Sequence, residues 1–513
     1  MKQSLRDYLY TYFKYKTFQI GQEEIITDIL NGNDVLGVLP TGSGKSLCYQ
    51  LPAKLLSGLT IVVSPLISLM VDQVRRVRAF YYKEVVALHS FQNWKERRRI
   101  LNQLHLYKLV YVSPELLQQE NFLNRLQQIR VSLFVIDEAH CISQWGYDFR
   151  PDYLRLNNII SKLNHPTILA LTGTATPEVQ KDIMDRLDRP RMKRHIYPMD
   201  RENITLVVQH VDGGEEDKQN MLLSLISTHH QPTIIYFSSR KITEHIAFEL
   251  SYRLPDKRIA FYHGGMENID RLKIQQQFMN DQIDIICCTS AFGMGIDKKN
   301  IRLVIHYHMP PELESFIQEI GRAGRDGEES VSVLLYRKGD EQVPLQIIEH
   351  ELPTEQEINS VIKKLYILFL KNEPIPADEE AIEQLFDLTI TKWRFLHYQF
   401  ETHGMMERNN IFYNKNSWAQ ALRMITQFCE ERKILKKQRL KDMVRWLQSK
   451  NCLREELYKN FQPTIRKKDA QCCSNCGFSL TSWERTKTRK KLVNNHDTWK
   501  EQLANLLLVG DHP

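Results

Sequence analysis

The sequence contains no apolar run close to the roughly 20 residues that a membrane-spanning helix needs. Its first residues lack both an apolar stretch and a small-residue cleavage site, so we expect no secretory signal. Internal repeats and low-complexity segments are also absent, which argues against a repeat architecture or a disordered chain. These absences predict a soluble protein of the cytoplasm with no membrane partner.

Cysteine is scarce, with nine residues in 513. Four of them cluster late in the chain, at Cys452, Cys472, Cys473 and Cys476, while most of the others lie alone or paired in apolar or motif-like segments. This distribution argues against a disulfide framework. It fits a reducing compartment and one metal site.

The composition is that of a globular protein, with 42% hydrophobic, 26% charged and 10% aromatic residues. The length favours three or four domains. The net charge of +7 hides an asymmetry, because residues 431–500 carry 19 Lys+Arg against 7 Asp+Glu and the rest of the chain nets −5. A basic late segment is typical of contact with a polyanion, although a solvated basic helix face explains the same charge equally well.

From Asp34 to about residue 340, short β-branched apolar runs alternate with segments of helical period, which is the pattern of βα units on a parallel sheet. A first series of strands is predicted at 35–39, 60–64, 109–113, 133–137 and 167–172. A second series is predicted at 204–208, 233–237, 258–262, 284–288, 303–307 and 330–335. A break near 195–205 separates two α/β lobes, predicted at 1–200 and 201–350.

After residue 350 the pattern becomes helical. Helices are predicted at 355–371, 376–388 and 389–403, and a short strand pair at 404–413. Residues 351–430 therefore form either a winged-helix-like unit or a helical cap on the second lobe. A basic helix at 417–449 leads into the cysteine cluster. The two define a region at 431–481, and a basic helical tail covers 482–513.

A phosphate-binding loop lies between a predicted strand and a predicted helix, with the sequence Leu39-Pro40-Thr41-Gly42-Ser43-Gly44-Lys45-Ser46. Its glycines let backbone N–H groups cradle phosphate at a helix N-terminus. Lys45 would reach the terminal phosphates of ATP, and the Ser46 hydroxyl would bind Mg²⁺. Thr41 occupies the place of the first glycine in the generic pattern.

An acidic box, Asp137-Glu138-Ala139-His140, ends a predicted strand, where a parallel sheet delivers side chains to its ligand crevice. Asp137 would hold Mg²⁺ and Glu138 would polarise the attacking water. Arg322 and Arg325, three residues apart and predicted on one helix face, would supply positive charge to the transferring phosphate; surface ion pairing is the alternative. Because these arginines belong to the second lobe, hydrolysis would require closure of the lobes.

In this order and spacing, the boxes resemble those of superfamily 2 helicases, and the segments between them narrow the resemblance to the RecQ DNA helicases over about residues 10–340. The segments that carry it are 18–22, 63–70, 111–115, 171–176, 236–240, 262–266, 289–297 and, most specific, Cys141-Ile142-Ser143-Gln144-Trp145-Gly146-Tyr147-Asp148-Phe149-Arg150-Pro151.

The resemblance implies two RecA-like lobes followed by a helical, winged-helix-like and zinc-binding region. It implies that Gln22 reads the adenine edge and that Thr174 and Thr176 link the nucleotide to the cleft between the lobes. It also implies that an aromatic-rich loop senses single-stranded DNA, through Ser143, Gln144, Trp145, Tyr147, Phe149 and Arg150. Aromatic faces stack on bases at about 1–3 kcal/mol each, which suits this task; buried core aromatics are the alternative.

The chain departs from the RecQ pattern in three places. Gln19 replaces the usual arginine, so that residue's role is not carried over. Ser479 occupies the place of a cysteine in the zinc module, so Zn²⁺, which takes four donors, would be held by Cys452, Cys473, Cys476 and a fourth ligand. That ligand is Cys472, Cys429 or a histidine; reduced free thiols are the alternative to a zinc site. We expect a short form without the C-terminal HRDC domain.

The expected activity is that of an ATP-dependent 3′→5′ DNA helicase that acts on forked, flapped or junction DNA in repair, recombination and replication. An RNA helicase, and a DNA-stimulated ATPase that anneals or remodels strands, are the alternatives. The expected cofactors are ATP, Mg²⁺ and structural Zn²⁺. The expected partners are single-stranded and branched DNA and single-strand-binding or recombination proteins. We expect a monomer, associated with the nucleoid in a bacterium.

Overall fold

The computed structural model describes residues 4–80, 82–89, 92–143, 151–229, 231–293, 298–376, 378–407, 409–462, 465, 472–480 and 483. Within these residues, no helix is long and apolar enough to cross a membrane. The internal contacts divide the chain into two units. Unit 1 comprises Met1–His308, Glu314–Tyr336 and Ser449–Pro513, and unit 2 comprises Met309–Leu313 and Arg337–Gln448.

The first lobe of unit 1 is built on seven strands: β1 Val35–Val38, β2 Leu59–Val63, β3 Val85–Leu88, β4 Leu109–Val112, β5 Val131–Ile136, β6 Thr167–Thr172 and β7 Lys193–Ile196. They pair in parallel in the order β3-β4-β2-β5-β6-β1-β7. The five predicted strands are confirmed, and they are buried on both faces, as their apolar sequences require. β3 and β7 lie outside the predicted set.

Helices cover both faces of this sheet. They are α1 Leu5–Phe13, α2 Gln22–Leu30, α3 Leu47–Leu55, α4 Ile67–Ala79, α5 Trp94–Asn102, α6 Pro114–Leu117, α7 Glu120–Gln127, α8 Pro151–Leu154, α9 Leu156–Ile160 and α10 Pro177–Arg186. The core between helices and sheet includes Ile25, Met70, Val135 and Leu169, each almost fully buried.

The second lobe of unit 1 has six strands: β8 Ile204–His210, β9 Thr233–Tyr236, β10 Ile259–Tyr262, β11 Ile285–Cys288, β12 Leu303–His306 and β13 Ser330–Tyr336. They pair in parallel in the order β10-β11-β9-β12-β13-β8, and all six correspond to predicted strands. The helices of this lobe are α11 Glu215–Thr228, α12 Arg240–Arg253, α13 Asn268–Met279 and α14 Leu313–Ile320. The predicted pair of RecA-like parallel-sheet lobes is therefore confirmed.

Unit 2 is helical, as predicted. Its helices are α15 Gln342–Glu351, α16 Glu355–Lys371, α17 Glu379–Phe386, α18 Ile390–Thr402 and α19 Lys415–Leu447, and its strands β14 Met406–Glu407 and β15 Asn410–Ile411 form an antiparallel pair. The β pair follows α17 and α18, and the winged-helix-like architecture of residues 351–430 stays a prediction. The unit has its own core, in which Leu365, Trp393, Leu396 and Phe400 are buried.

A last helix, α20 Leu453–Tyr458, belongs to unit 1. Residues 449–462 and 472–480, which we call the cysteine module, pack against the second lobe. A parallel bridge joins Cys473 to Leu206 of β8, and Phe478 and Leu480 pack on the core of the second lobe. The tail predicted at 482–513 lies, apart from Trp483, outside the described residues.

Candidate nucleotide site

The phosphate loop leaves the carboxyl end of β1 and enters α3 at Leu47. Gly42 and Gly44 adopt φ values of +89° and +67°, a left-handed conformation that side chains disfavour. A Cβ on Gly44 would also lie 2.8 Å from the amide nitrogen of Gln22. Glycine is therefore required where the backbone turns into the N-terminus of α3.

The acidic pair begins where β5 ends. The Asp137 backbone N–H donates to the Val63 carbonyl at 2.9 Å, which holds the pair beside the end of β2. Burial raises the pKa of Asp137 to about 7, the charge of Glu138 adds to the rise, and the Lys45 ammonium opposes it. Two carboxylates and an ammonium thus share one water-poor site, an arrangement that suits a bound cation and phosphate oxygens.

Gln22 is buried and its side chain is bonded to the phosphate loop. Its amide nitrogen donates to the carbonyls of Ser43 at 2.9 Å and Gly44 at 3.0 Å, and its amide oxygen accepts from the Gln19 N–H at 2.9 Å. In this conformation Gln22 supports the loop backbone. The resemblance implies that Gln22 reads the adenine edge. For that role, Gln22 would have to replace some of these hydrogen bonds with hydrogen bonds to adenine.

The second lobe delivers its arginines to the same place. Arg322, Arg325 and Gln318 line a cleft of about 300 Å³ together with Thr41, Gly42, Gly44, Lys45, Ser46, Asp137 and Glu138. A Cβ on Gly321 would lie 3.0 Å from the Cβ of Thr41, so the two lobes approach each other closely at this glycine. The structure thus brings the predicted phosphate, acidic and arginine elements together in one cleft.

The prediction that the two arginines share a helix face is wrong. α14 ends at Ile320, and the following residues form turns in which Gly324 has a φ of +53°. Arg322 is buried and donates to the Gly293 carbonyl within its own lobe. Arg325 instead approaches the phosphate loop, with its Cγ 3.2 Å from the Cβ position of Gly42. The two side chains therefore have different surroundings.

Sequence reasoning missed Arg201, in the connection between the lobes. Its guanidinium donates to the Thr41 carbonyl in the first lobe at 2.9 Å and to the Gly324 carbonyl in the second at 2.6 Å. The 195–205 segment was recognised only as a break in the βα pattern. No spacing rule marks an arginine whose partners are backbone carbonyls.

Thr174 and Thr176, the two threonines assigned to the cleft between the lobes, lie in different settings. Thr174 is buried beside Thr172, whose hydroxyl also bonds His140 Nδ1 at 2.9 Å. Thr176 caps α10, with its hydroxyl accepting from the Val179 N–H at 3.4 Å. This contact gives Thr176 a structural role, whereas Thr174 is linked through the Thr172 hydroxyl to His140 of the acidic box.

The predicted DNA-sensing loop is described only at its first residue. Ser143 is buried and donates to the Asp182 carboxylate on α10 at 2.6 Å. The other predicted DNA-contacting residues lie outside the described residues: Gln144, Trp145, Tyr147, Phe149 and Arg150.

The four late cysteines form one cluster. The Sγ atoms of Cys452, Cys472, Cys473 and Cys476 all lie within 4.8 Å of one another. Tetrahedral zinc with Zn–S bonds of about 2.3 Å places sulfurs about 3.8 Å apart, so this donor set fits zinc with small adjustment. Of the three candidates for the fourth ligand, Cys472 joins the other thiols, whereas Cys429 is buried in the core of unit 2.

Comparison with protein families places both lobes among helicases. Residues 19–183 match the DEAD/DEAH box helicase family, and residues 217–327 match the helicase conserved C-terminal domain. The probable ATP-dependent DNA helicase RecS of Bacillus subtilis is 42% identical over 505 residues, covering 98% of this chain and 97% of RecS. The ATP-dependent DNA helicase RecQ of Haemophilus influenzae is 42% identical over 330 residues, and this match spans 52% of its length.

Solved structures share the fold at low sequence identity. The Mycobacterium smegmatis helicase Lhr, bound to single-stranded DNA and AMP-PNP, superposes with a TM-score of 0.58 at 19% identity, covering 83% of this chain and 61% of Lhr. Mss116p, bound to single-stranded RNA and AMP-PNP, gives a TM-score of 0.56 at 18% identity, covering 86% of this chain and 89% of the other.

Proposed function

The chain belongs to the RecQ family of superfamily 2 ATP-dependent DNA helicases, and we propose that it moves 3′→5′ along one DNA strand and opens forked, flapped or junction DNA in repair, recombination and replication. The observation that carries the proposal is the cleft in which the phosphate loop, the acidic pair and the arginines of the other lobe meet. ATP bound there contacts both lobes, so its hydrolysis is coupled to their movement.

The chain's own residues supply the chemistry of ATP hydrolysis. Lys45 neutralises the terminal phosphates, and Glu138 accepts a hydrogen bond from the attacking water and orients it. Ser46 and Asp137 would hold Mg²⁺, which neutralises phosphate charge when bound. Arg325, and Arg322 after a change of partner, stabilise the charge that develops on the transferred phosphoryl group.

The relatives support DNA, rather than RNA, as the nucleic acid along which the protein moves. RecS and RecQ are named as DNA helicases, and the segment 141–151 resembles the DNA-sensing loop of that family. Mss116p carries RNA on a similar fold, so the fold alone does not choose the nucleic acid. The choice rests on sequence identity and on the aromatic segment. ATP turnover should rise strongly with single-stranded DNA and weakly with single-stranded RNA of equal length; the reverse order would identify an RNA helicase.

Trp145 tests the sensing role of the loop. Replacing Trp145 with Ala should lower DNA-stimulated ATP turnover far more than turnover without DNA, because a stacking face for a base is lost. Steady-state ATPase assays with and without single-stranded DNA measure both rates. Equal losses in the two rates would show that the loop is structural.

The four thiols of the cysteine cluster would hold a structural zinc ion. Bound by protein ligands alone, the ion would contribute to folding rather than to hydrolysis. Metal analysis of purified protein should give close to one equivalent of zinc per chain. Less than about half an equivalent would favour reduced free thiols instead.

A further inference from the structure

Arg201 joins the two halves of the nucleotide cleft by backbone contacts alone. Its Nη1 donates to the Thr41 carbonyl of the phosphate loop at 2.9 Å. Its Nη2 donates to the carbonyls of Ala323 at 3.3 Å and Gly324 at 2.6 Å, in the turn that carries the arginines of the second lobe. A guanidinium presents its donors in a rigid planar fork, so the distance between its partners is fixed by its own geometry.

The cysteine module holds the backbone from which Arg201 extends. Arg454, two residues after Cys452, forms a buried ion pair with Asp200, and both side chains are only 2% exposed. The Arg454 guanidinium also donates to the Arg201 carbonyl at 3.1 Å and to the Ile204 carbonyl. One side chain of the module thus binds three residues, Asp200, Arg201 and Ile204, where the connection between the lobes enters β8.

Further contacts fix the module to the same segment. The Gln462 amide oxygen accepts from the Met199 N–H at 2.7 Å, and the Leu206 N–H donates to the Cys472 carbonyl at 3.3 Å. The Ser474 hydroxyl accepts from the Val208 N–H at 3.3 Å. The connection is therefore bonded to the module on both sides of Arg201.

We propose that Arg201 is a positioning residue for ATP hydrolysis, which sets the distance between the phosphate loop and the arginine turn, and that the cysteine module keeps Arg201 in place through Arg454. This inference rests on the proposed function, because it assumes that ATP is hydrolysed in this cleft. The cysteine module then affects catalysis indirectly. The cysteine cluster orders α20, which carries Arg454, and Arg454 fixes the position of Arg201.

Conservative substitutions test the proposal. Arg201→Lys keeps the charge but loses the fork, so kcat for DNA-stimulated ATP hydrolysis should fall by about 10²-fold, the cost of misplacing reacting groups by about 1 Å, while KM for ATP changes little. Arg454→Lys keeps an ion pair with Asp200 but loses the hydrogen bonds that the guanidinium donates to the Arg201 and Ile204 carbonyls. Its kcat should therefore fall by about 10-fold or more. Arg78→Lys is the matched control, because the Arg78 guanidinium donates to the Val85 carbonyl at 3.1 Å outside the cleft.

Thermal unfolding and zinc content of each variant separate positioning from folding. The proposal requires folded, zinc-replete Arg201→Lys and Arg454→Lys proteins with low kcat. Wild-type kcat in both variants, or a loss of activity that follows only the loss of folded protein, would overturn it. Absence of DNA-stimulated hydrolysis in the unmodified protein would instead overturn the proposed function, so the two failures are distinguishable.

A separate observation concerns a groove between α5 and α7 on the first lobe, outside the nucleotide cleft. It encloses about 530 Å³, has Leu101 and Phe122 in its lining, and is bordered by Trp94, Arg97, Arg98 and Arg125. The Trp94 side chain is 61% exposed. Within the described part of the chain, the buried Nε of Arg97 has no hydrogen-bond partner.

We infer that this groove binds a segment of single-stranded DNA, with guanidinium groups on phosphates and Trp94 against a base. Charge complementarity selects this occupant, because α5 carries four basic residues against one acidic residue and a stacking face lies beside them. The surface adds to the contacts expected from residues 143–150.

Binding measurements with oligo(dT) test the groove. Arg98→Ala should weaken binding and make the dependence of log K on log salt less steep, by the amount that one phosphate contact contributes. Trp94→Ala should weaken binding by about 5-fold or more and leave the salt dependence unchanged. Lys371→Ala and Tyr252→Ala, at exposed sites on α16 and α12, are the controls. Wild-type affinity and slope in both groove variants would overturn the inference.

Discussion

Lys45 is the residue on which the nucleotide site depends most directly. It is close enough to Asp137 to oppose the rise in that carboxyl's pKa, and a Cβ on Gly173 would lie 2.9 Å from its ammonium nitrogen. The ammonium therefore lies beside the acidic pair, in the cleft where we propose that ATP binds. Among the predicted nucleotide-site residues of the first lobe, Lys45 alone carries a positive charge.

Replacing Lys45 with Ala should abolish ATP hydrolysis and leave DNA binding largely intact, because the lysine lies in the nucleotide cleft and neutralises phosphate charge there. ATPase rates and oligonucleotide binding measure the two properties. Lys54→Ala is the control, on the helix α3 that follows the phosphate loop, since Lys54 pairs with Glu84 at 3.0 Å away from the cleft. Retained hydrolysis in Lys45→Ala would contradict the assignment.

The two arginines of the second lobe should respond differently to substitution. Arg325→Ala should lower kcat by about 10³-fold or more, as loss of an arginine finger does. Arg322→Ala should also lower the melting temperature, because it empties a buried site and leaves the Gly293 carbonyl without this donor. Thermal unfolding and ATPase rates of the two variants distinguish the roles of the two arginines. A melting temperature of Arg322→Ala equal to that of the wild type would show that the Arg322 contact contributes nothing to stability.

Among the elements, most buried strands were predicted, whereas the buried edge strand β3 and the exposed edge strand β7 were missed. All six strands of the second lobe were predicted, because parallel strands covered on both faces are continuous apolar runs. α16 has the predicted bounds, since a capping box of Thr354 and Glu357 marks its start. β7 escaped prediction because Lys193–Ile196 is an exposed edge strand held by backbone pairing, with no apolar run to reveal it.

The turn after α14 shows the limit of spacing rules. Two arginines three residues apart fit a helix face, but the glycines between and before them allow turns in which the side chains diverge. The identity of the fourth zinc ligand could not be predicted for a related reason. Sequence distance does not tell whether Cys472 or Cys429 is near the other thiols, and only the fold brings Cys472 to them.

The cysteine module gives a prediction at the scale of an element. Cys472→Ser should lower zinc content and melting temperature together, because a structural zinc site contributes its binding free energy to folding. Cys429→Ser, at a buried cysteine in the core of unit 2, should retain zinc. Metal analysis of both variants is the measurement. Full zinc occupancy in Cys472→Ser would exclude Cys472 as a ligand.

At the scale of the whole molecule, the nucleotide site belongs to neither lobe alone. The phosphate loop and acidic pair are contiguous motifs, and both were predicted from sequence. Arg201 was not, because its partners are carbonyls contributed by two lobes and by no recognisable motif. Coupling between lobes is a property of tertiary contacts, so this part of the site became visible only in the folded structure.

We propose that ATP hydrolysis in this cleft drives strand separation, and a tailed-duplex assay measures that coupling. Opening a base-pair step costs about 1.4 kcal/mol in stacking, which is small enough for a motor that advances by single bases. With ATP and Mg²⁺, the protein should displace the strand of a duplex with a 3′ single-stranded tail, and should do so poorly on a 5′-tailed duplex or with Lys45→Ala. ATP hydrolysis without any displaced strand would contradict the claim and identify a DNA-stimulated ATPase that anneals or remodels strands.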